Sequence, residues 1–339
     1  MNPEEPKCLC RQTAMPEFLP PVSSTRATVI CNPVSGTRDV RAMLPGAIEA
    51  LRTCGWQVDL QTTTQSGDAG RLAAQARDQG QHVVLAAGGD GTLNEIANAL
   101  ALSEVALGVL PSGTANVWAR QIGLPIPTVL RPDGLIEAAR LMSRSIVRPI
   151  DLGRAADRYF MLWSGVGLDA HVTATIEPRS PRFKRLGIVG YALRALSIAL
   201  QYRGTRMVVI IDGQRTKCRA LMVLISNIRL YGGFVVAAPN AILDDGLLDV
   251  YLVKGNSLVE ATRSFVNVLL GRTSRDPQII NRRGQHVSIA ARRKCHVHVD
   301  AEPFGRTPIS IEVVPKALRA LIPAGAPASL FSDLAQIDL

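Results

Sequence analysis

Residues 82–95 read HVVLAAGGDGTLNE, an apolar run that ends in three glycines and an aspartate. The run is continuous rather than alternating, which is typical of a strand buried on both faces of a sheet. A helical pattern, TLNEIANAL (92–100), begins at once. Because glycine lacks a Cβ atom, the backbone there can turn tightly and approach a ligand closely. The stretch therefore predicts a strand, a ligand-binding turn and a helix in immediate succession.

The same alternation continues on both sides of this stretch. ATVICNPVSG (27–36), WQVDLQTTT (56–64) and ALGVLPSG (106–113) read as strands ending in polar turns, with helical patterns between them. Asp68 stands where it would cap the helix after the second strand. Alternating strands and helices with short connections indicate a parallel sheet covered on both faces. We expect a doubly wound α/β nucleotide-binding domain over residues 26–147.

After residue 147 the pattern changes to strand-like segments punctuated by Gly, Asp and Asn, such as TRMVVIIDGQ (205–214). We expect an all-β, sandwich-like domain over residues 148–327, whose last segment packs back on the first domain. Only FKRLGIVGYALRALSIALQY (183–202) and SLVEATRSFVNVLLG (257–271) look helical in this half. The proline-rich residues 1–25 read as a flexible extension, and 328–339 as a tail.

Composition limits the partners of this chain. Its 339 residues, 47% of them hydrophobic, can bury a sizeable core, and a net charge of +10 suits an anionic partner. Aromatic residues make up only 4%, which argues against a base-stacking platform. The basic stretch RRGQHVSIAARRKCHVHVD (282–300) has no interleaved aromatics, so we expect no nucleic acid partner. Its His296 and His298 share a strand face, but no third zinc ligand is visible.

Cellular location follows from what the sequence contains and lacks. The six cysteines form no CxxC pair, no secretory signal opens the chain, and no apolar run is long enough to span a bilayer. We expect a cytoplasmic protein that is soluble or peripheral at the inner membrane face. The basic amphipathic segment 182–203 fits membrane docking and fits packing on the β domain equally well. The sequence leaves open whether the chain forms a homodimer.

Two further turns resemble GGDG in character. PSGTAN (111–116) and NPVSG (32–36) also follow apolar strands, and in an open α/β sheet such turns meet beyond the carboxyl ends of the strands. Backbone N–H groups at such turns suit phosphate. Asp90 would repel a phosphate, so we expect it to face a bridging Mg²⁺. The pattern is neither a Walker loop nor GxGxxG.

These motifs resemble a known family. NPVSG, GGDGTLNE and LPSGTANVWAR, in this order, are similar to the catalytic domain shared by diacylglycerol kinases, sphingosine kinases and their soluble bacterial relatives. GVGLDA (165–170), SNIRLYGG (226–233), APNAILDDGLLDV (238–250) and VDAEP (299–303) match that family's later motifs. The resemblance covers roughly residues 26–325. It implies ATP-dependent, Mg²⁺-dependent phosphorylation of a lipid hydroxyl at a membrane surface, with diacylglycerol as the leading acceptor and a sphingoid base or another lipid alcohol as alternatives.

The resemblance also implies site residues. Asp300 would be the general base and Glu302 would orient it or a metal, since strand alternation would put both on one face; Asp90 would support the metal. The residues expected to hold ATP are Asn32, Thr63, Gly88, Gly89, Asp90, Gly91, Thr92, Leu93, Asn94, Ser112, Gly113, Thr114 and Asn116. A structural Mg²⁺ would be held by Asp245 and the carbonyls of Ile242 and Leu247, unless this Asp-Gly is an ordinary hairpin turn.

Two departures from the family pattern leave alternatives open. Ala301 stands where the family has glycine, at a cost of about 1 kcal/mol if φ is positive. Val117 stands where the family has aspartate. A nucleotide-binding regulator without turnover is therefore one alternative. Phosphorylation of a soluble substrate is another, because NAD kinases share a GGDG loop.

Overall fold

The computed structural model describes six ranges of the chain: 25–36, 40–176, 198, 201–233, 235–257 and 277–332. The extension before residue 25, most of the predicted helix 183–202 and nearly all of the predicted helix 257–271 lie outside these ranges. Within them the helices are α1 (Val40–Thr53), α2 (Asp68–Asp78), α3 (Asp90–Leu100), α4 (Val117–Gln121), α5 (Gly134–Met142) and α6 (Leu168–Ile176).

The strands alternate with the helices at first and then follow one another. The strands are β1 (Arg26–Cys31), β2 (Gln57–Thr62), β3 (Val83–Gly88), β4 (Ala106–Pro111), β5 (Ile146–Ala155), β6 (Arg158–Phe160), β7 (Trp163–Gly167), β8 (Thr205–Ile211), β9 (Gln214–Ser226), β10 (Leu230–Tyr231), β11 (Val235–Val236), β12 (Leu248–Lys254), β13 (Ile279–Gly284), β14 (His286–Ala291), β15 (His296–Val299), β16 (Glu302–Arg306) and β17 (Ile309–Ile322). A short 3-10 helix, Ala328–Leu330, follows β17.

The α/β domain, which comprises β1–β4 and α1–α5, is built on parallel strands in the order β4-β3-β1-β2. Every residue of β3 and β4 is buried, as their continuous apolar runs predict. Helix α1 packs on α5, and α2 packs on α3. Right-handed crossovers place these two helix pairs on opposite faces, because the strand order reverses at β1. The carboxyl ends of β1, β3 and β4 therefore lie side by side.

The β domain, which comprises β5–β17, continues the same sheet through antiparallel strands. The long strand β17 joins the two domains, since it pairs with β5 and β14 and also, in parallel, with β4 through Ala320 and Leu107. Strand β9 pairs with β7, β8 and β12, so the sheet branches and curls over a second apolar core. The turn that contains Asp300, the predicted base, lies between β15 and β16, at the end of this sheet.

Two local predictions are wrong. Asp68 does not cap α2, because the capping residue is Gly67 in a left-handed conformation. The Asp68 carboxylate instead accepts hydrogen bonds from the side chain and backbone of Thr64 and from Gln65 N–H. These bonds fix the preceding loop and lower the pKa of Asp68. Helix α6 was missed, since its sequence follows GVG directly and shows no amphipathic spacing. No helix among the described residues is long and apolar enough to cross a bilayer.

Candidate active site

Three polar turns meet at the carboxyl edge of the parallel sheet, as the sequence predicts. Asn32 after β1 donates its Nδ2–H to Thr92 Oγ1 at 3.0 Å. Ser35 lies 3.2 Å from Ser112, hydroxyl to hydroxyl, which ties the β1 turn to the β4 turn. The shared edge thus brings NPVSG, GGDGT and PSGTAN into direct contact.

Close backbone packing explains the glycines in these turns. A Cβ atom at Gly113 would lie 2.3 Å from Gly89 Cα, and one at Gly88 would lie 2.7 Å from Thr92 Oγ1. Neither position has room for a side chain, because the nearest atoms belong to backbone or to a buried threonine. Asn116 shapes the second turn from within, since its amide accepts from Gly113 N–H at 2.9 Å and donates to Gly113 C=O at 2.8 Å.

The other residues predicted to bind the nucleotide differ in how exposed they are. Thr114 is exposed at the mouth of the edge, and Gly91 is half-buried. Leu93 is buried in the core, with its N–H donated to Gly89 C=O, so it supports the helix. Asn94 is buried and its Nδ2 has no hydrogen-bond partner, which leaves a donor for an anionic ligand. Thr63 is buried at the end of β2, where its N–H is donated to Cys31 C=O.

Asp90 is the first residue of α3 and is only half-buried. Its Oδ1 accepts the N–H of Trp118 at 3.2 Å, so the carboxylate holds the start of α4. Burial raises its pKa, while the N–H groups of Val117 and Trp118 lower it. Val117 itself is buried and packs in the core, so this position offers no carboxylate to a metal.

The predicted catalytic motif forms a two-residue hairpin turn. Strand β15 ends at Val299 and β16 begins at Glu302, which pair with each other; between them Asp300 and Ala301 have φ of 46° and 63°. Two positive φ values define a type I′ turn, whose second position favours glycine. The expectation that strand alternation places Asp300 and Glu302 on one face is therefore wrong. Ala301 has a positive φ, a backbone conformation that costs a residue other than glycine about 1 kcal/mol.

Asp300 is buried, at 4% exposure, against the chain between β6 and β7. Its Oδ2 accepts the N–H of Met161 at 2.9 Å, and its Oδ1 accepts the N–H groups of Leu162 and Trp163, each at 3.0 Å. Burial raises the pKa of Asp300 to about 7 despite these three donors, and the nearby charge of Asp90 adds to the increase. A carboxylate with such a pKa can gain and lose a proton near neutrality.

Glu302 turns the other way, toward the α/β domain. Its Oε2 is ion-paired with Arg158, and its Oε1 lies 3.3 Å from where a Cβ atom of Gly91 would stand. The hairpin of the β domain therefore faces the GGDG turn of the α/β domain. A side chain at position 91 would crowd Glu302, which glycine avoids.

The predicted structural metal site lies elsewhere in the β domain. Asp245 Oδ1 accepts the N–H of Leu247 at 3.1 Å, and its Oδ2 is ion-paired with Arg283. Two buried carboxylates stand nearby, Asp151 and Asp249. Burial, with a smaller effect of Asp245, raises both their pKa values to about 6.

The carboxylates around Asp245 meet some of the requirements of a cation site. Asp249 Oδ1 is buried without a hydrogen-bond partner, so negative charge there is incompletely neutralised by Arg283. Oxygen ligands of this kind are what Mg²⁺ takes. Within the described ranges, however, no three His, Cys, Asp or Glu side chains are grouped closely enough to hold a metal by themselves. A metal there would depend on backbone carbonyls, as the predicted ligands Ile242 and Leu247 would supply.

Sequence reasoning missed a polar cluster behind the hairpin, which joins His298, considered above only as a zinc ligand, to Asp169 and Tyr231. His298 lies 2.6 Å from Asp169, Nε2 to Oδ2, and Asp169 Oδ1 accepts the hydroxyl of Tyr231 at 2.5 Å. His298 is buried, at 1% exposure, and accepts the N–H of Ala301 on Nδ1 at 3.3 Å. The motifs GVGLDA and SNIRLYGG contain two of these residues, but nothing in their spacing shows that they meet.

The fold and the facing turns define a two-domain protein in which glycine turns of an α/β domain face a hairpin of a β-sandwich-like domain. Residues 26–155 match the diacylglycerol kinase catalytic domain, and residues 164–322 match the YegS C-terminal NAD kinase beta sandwich-like domain. These matches confirm the expected order of an α/β domain and a sandwich-like domain.

Known relatives agree. The chain is 30% identical over 285 residues to the diacylglycerol kinase of Bacillus subtilis (strain 168), covering 84% of this chain and 91% of that protein. It is 31% identical over 291 residues to "Probable lipid kinase YegS-like" of Pseudomonas putida, covering 85% and 92%. A solved structure of a diacylglycerol kinase from Bacillus anthracis str. Sterne has a TM-score of 0.72 and 25% identity, covering 88% of this chain and 97% of that one. This chain belongs to the family of diacylglycerol kinases and YegS-like lipid kinases.

Proposed function

We propose that this protein transfers the γ-phosphate of ATP to the hydroxyl group of a membrane lipid, with diacylglycerol as the first acceptor to test. Family membership supports an ATP-dependent kinase acting on an alcohol. The observation that carries the proposal is the position of the Asp300 hairpin, which faces the glycine turns across the cleft. A base and a phosphate-binding edge on opposite sides of one cleft suit phosphoryl transfer.

The three glycine turns would hold the nucleotide. Gly88, Gly89 and Gly113 bring backbone to the edge without side chains, and the N-terminus of α3 opens there. Backbone N–H groups and a helix N-terminus together attract phosphate. The unpaired amide of Asn94 and the exposed hydroxyl of Thr114 would add donors. Thr63 and Asn32 would close the site at its far side.

Asp300 would act as the general base. Its Oδ1 accepts two N–H groups and its Oδ2 only one, so Oδ2 keeps a lone pair for the proton of the acceptor hydroxyl. Such proton transfer typically contributes ~10²–10⁴ in rate. Arg158 would hold Glu302 away from Asp300, which leaves Glu302 to orient the metal rather than the base.

Mg²⁺ fits beside Asp90 and Glu302, because the charge of Asp90 raises the pKa of Asp300 and a cation would offset that repulsion. When bound, the metal would neutralise charge on the phosphates during transfer. Asp90 also holds α4 through Oδ1, so its contribution to the metal would come from Oδ2.

A basic cavity supports an acceptor at an anionic membrane surface. The cavity, of about 610 Å³, opens beside His296 at the start of β15. Its described lining residues include four cations and no acid; the cations are Arg203, Arg293, Lys294 and Arg306. Strand β15 leads from His296 to Asp300, a distance of ~13 Å at the usual rise per residue. A lipid held at this cavity could extend its hydroxyl toward the base.

The test uses γ-labelled ATP, Mg²⁺ and mixed micelles of diacylglycerol with an anionic phospholipid, comparing wild type with Asp300→Asn. We expect labelled lipid in the wild type and at least ~10²-fold less in the variant. Equal labelling in both proteins would reject Asp300 as the base. ATP binding without labelled lipid would reject the lipid kinase function. Label in NAD, added as a soluble acceptor, would then favour the NAD-kinase-like alternative. Absence of label in every acceptor would favour a nucleotide-binding regulator.

A further inference from the structure

We propose that Tyr231, Asp169 and His298 form a buried positioning relay that holds the Asp300 hairpin in its working orientation. This inference rests on the proposed kinase function. The relay runs from the hydroxyl of Tyr231 through the Asp169 carboxylate to the His298 imidazole, which accepts the backbone N–H of Ala301. None of the three side chains would touch the phosphate; they act through the turn.

Hydrogen-bond direction is determined at every step. A backbone N–H can only donate, so His298 Nδ1 is the acceptor and the proton of the neutral ring is on Nε2. That Nε2–H donates to Asp169 Oδ2 at 2.6 Å, and the second carboxylate oxygen accepts from Tyr231 at 2.5 Å. Asp169 therefore selects the one tautomer that can accept from Ala301.

The sheet reserves space for this pair. A Cβ atom at Gly165 would lie 2.3 Å from both Asp169 Oδ2 and His298 Nε2. Gly165 pairs with His298 across β7 and β15, and Trp163, on the same strand, donates its N–H to Asp300. One strand thus makes room for the relay and binds the proposed base.

Tyr231 connects the relay to both domains. Its ring packs on the Trp163 ring with centroids 5.1 Å apart. Its neighbour Leu230 donates its N–H to Gln121 Oε1 at the end of α4, the helix whose first turn Asp90 holds. The relay is therefore linked to the hairpin through His298 and, through the residue next to Tyr231, to α4.

The turn needs such support because both of its residues have positive φ without glycine. Strained turns persist at functional sites when the surrounding structure over-determines them. Ala301 N–H belongs to the residue that directly follows the base in the turn. If His298 Nδ1 were lost, the turn could relax, and a misplacement of ~1 Å at a reacting group can lower a rate by ~10²-fold.

The test compares two variants of equal size, His298→Asn and His298→Leu. Asparagine presents its Oδ1 near the position of Nδ1 and keeps an acceptor for Ala301, whereas leucine does not. We expect kcat for lipid phosphorylation to fall ~10²-fold in His298→Leu and ~10-fold or less in His298→Asn, with the KM for ATP within ~2-fold of wild type. His286→Leu, an exposed histidine on β14, is the control and should leave kcat unchanged. Equal losses in the asparagine and leucine variants would overturn the proposal.

Two more measurements separate positioning from general destabilisation. In an Asp300→Asn background, His298→Leu should cause little further loss, because both changes act through one group; a full additional loss would indicate a structural role only. Hydrogen exchange at the Ala301 amide, measured without substrate, should be slow in wild type and His298→Asn and fast in His298→Leu. Unchanged exchange would reject the relay. This readout remains decisive even if wild type phosphorylates no lipid, which would reject the kinase function alone.

Discussion

The glycine turns of the α/β domain and the hairpin of the β domain that faces them are held in different ways. On the α/β side, the turns GGDG and PSGT come together because Gly89 and Gly113 have no side chains and meet backbone to backbone. On the β side, the Asp300 hairpin is held by polar groups, with three N–H donors on its carboxylate and a histidine on its next N–H. Absence of side chains is visible in a sequence, whereas the meeting of distant polar groups is not.

The largest expected effect is the dependence of activity on pH, which tests the hydrogen-bonded Asp300 hairpin. A base with a pKa of about 7 is protonated below that pH, so activity falls as pH falls. Below pH 7, kcat/KM of wild type should change about tenfold per pH unit, or ~10²-fold between pH 5 and 7, and level off above. The measurement is a pH profile of initial rates with saturating Mg²⁺.

Two variants sharpen this prediction. Asp300→Asn should abolish the acidic limb along with most of the rate. At the lowest Mg²⁺ concentration that supports turnover, Asp90→Asn should move the limb to lower pH, because the charge of Asp90, where no metal offsets it, contributes to the raised pKa of Asp300. A wild-type limb near pH 4 would mean that Asp300 is an ordinary carboxylate in the working enzyme.

The glycine side is tested by adding a single methyl group. In Gly113→Ala the new Cβ would meet Gly89 Cα at 2.3 Å, so one of the two turns must shift. Overpacking of this kind costs about 1–3 kcal/mol, and we expect the Kd for ATP to rise ~10–100-fold. Titration calorimetry measures the change.

Gly325→Ala is the matched control for this substitution. No atom lies within 4 Å of a Cβ at position 325, so ATP binding should be unchanged. If Gly113→Ala bound ATP as tightly as Gly325→Ala, the nucleotide would not depend on the contact between the two turns.

A smaller effect concerns the acidic cluster around Asp245. If Mg²⁺ binds there, it stabilises the folded protein by RT ln(1 + [Mg²⁺]/Kd), which is about 1.4 kcal/mol at ten times Kd. The Tm of wild type without nucleotide should then rise by ~2–6 °C with added Mg²⁺. Asp245→Asn should remove this increase, while Asp244→Asn should retain it. An equal increase in wild type and Asp245→Asn would contradict the site.

The smallest effect tests the strain in the hairpin. Ala301→Gly should raise the free energy of unfolding by ~0.5–1 kcal/mol, since φ of 63° favours glycine by more than the chain entropy it costs. Ala290→Gly, at an exposed position in the middle of β14, should lower the free energy of unfolding by a similar amount. Denaturant unfolding of both variants measures the difference. A destabilised Ala301→Gly would show that the turn is not strained.

Much of the fold could be predicted from local pattern. The continuous run VVLAA and its neighbours indicate buried parallel strands, and the structure places them in the order that brings the three turns together. Helix α6 could not be predicted, because its polar and apolar residues show no amphipathic spacing and follow a strand without a break. The turn at Asp300 and Ala301 was expected as strand for a related reason, since VDAEP alternates as a strand does.

The sequence by itself determined the two-domain class and the glycine turns, because period and glycine are local properties of the chain, and the resemblance of its motifs to a family indicated the candidate base. Tertiary structure alone decided the environment of that base. Met161 and Trp163, which hold Asp300, lie 139 and 137 residues away from it, and Asp169 lies 129 residues from His298. Burial and hydrogen bonds of this range determine a pKa and an orientation, and only the folded sheet brings their partners together.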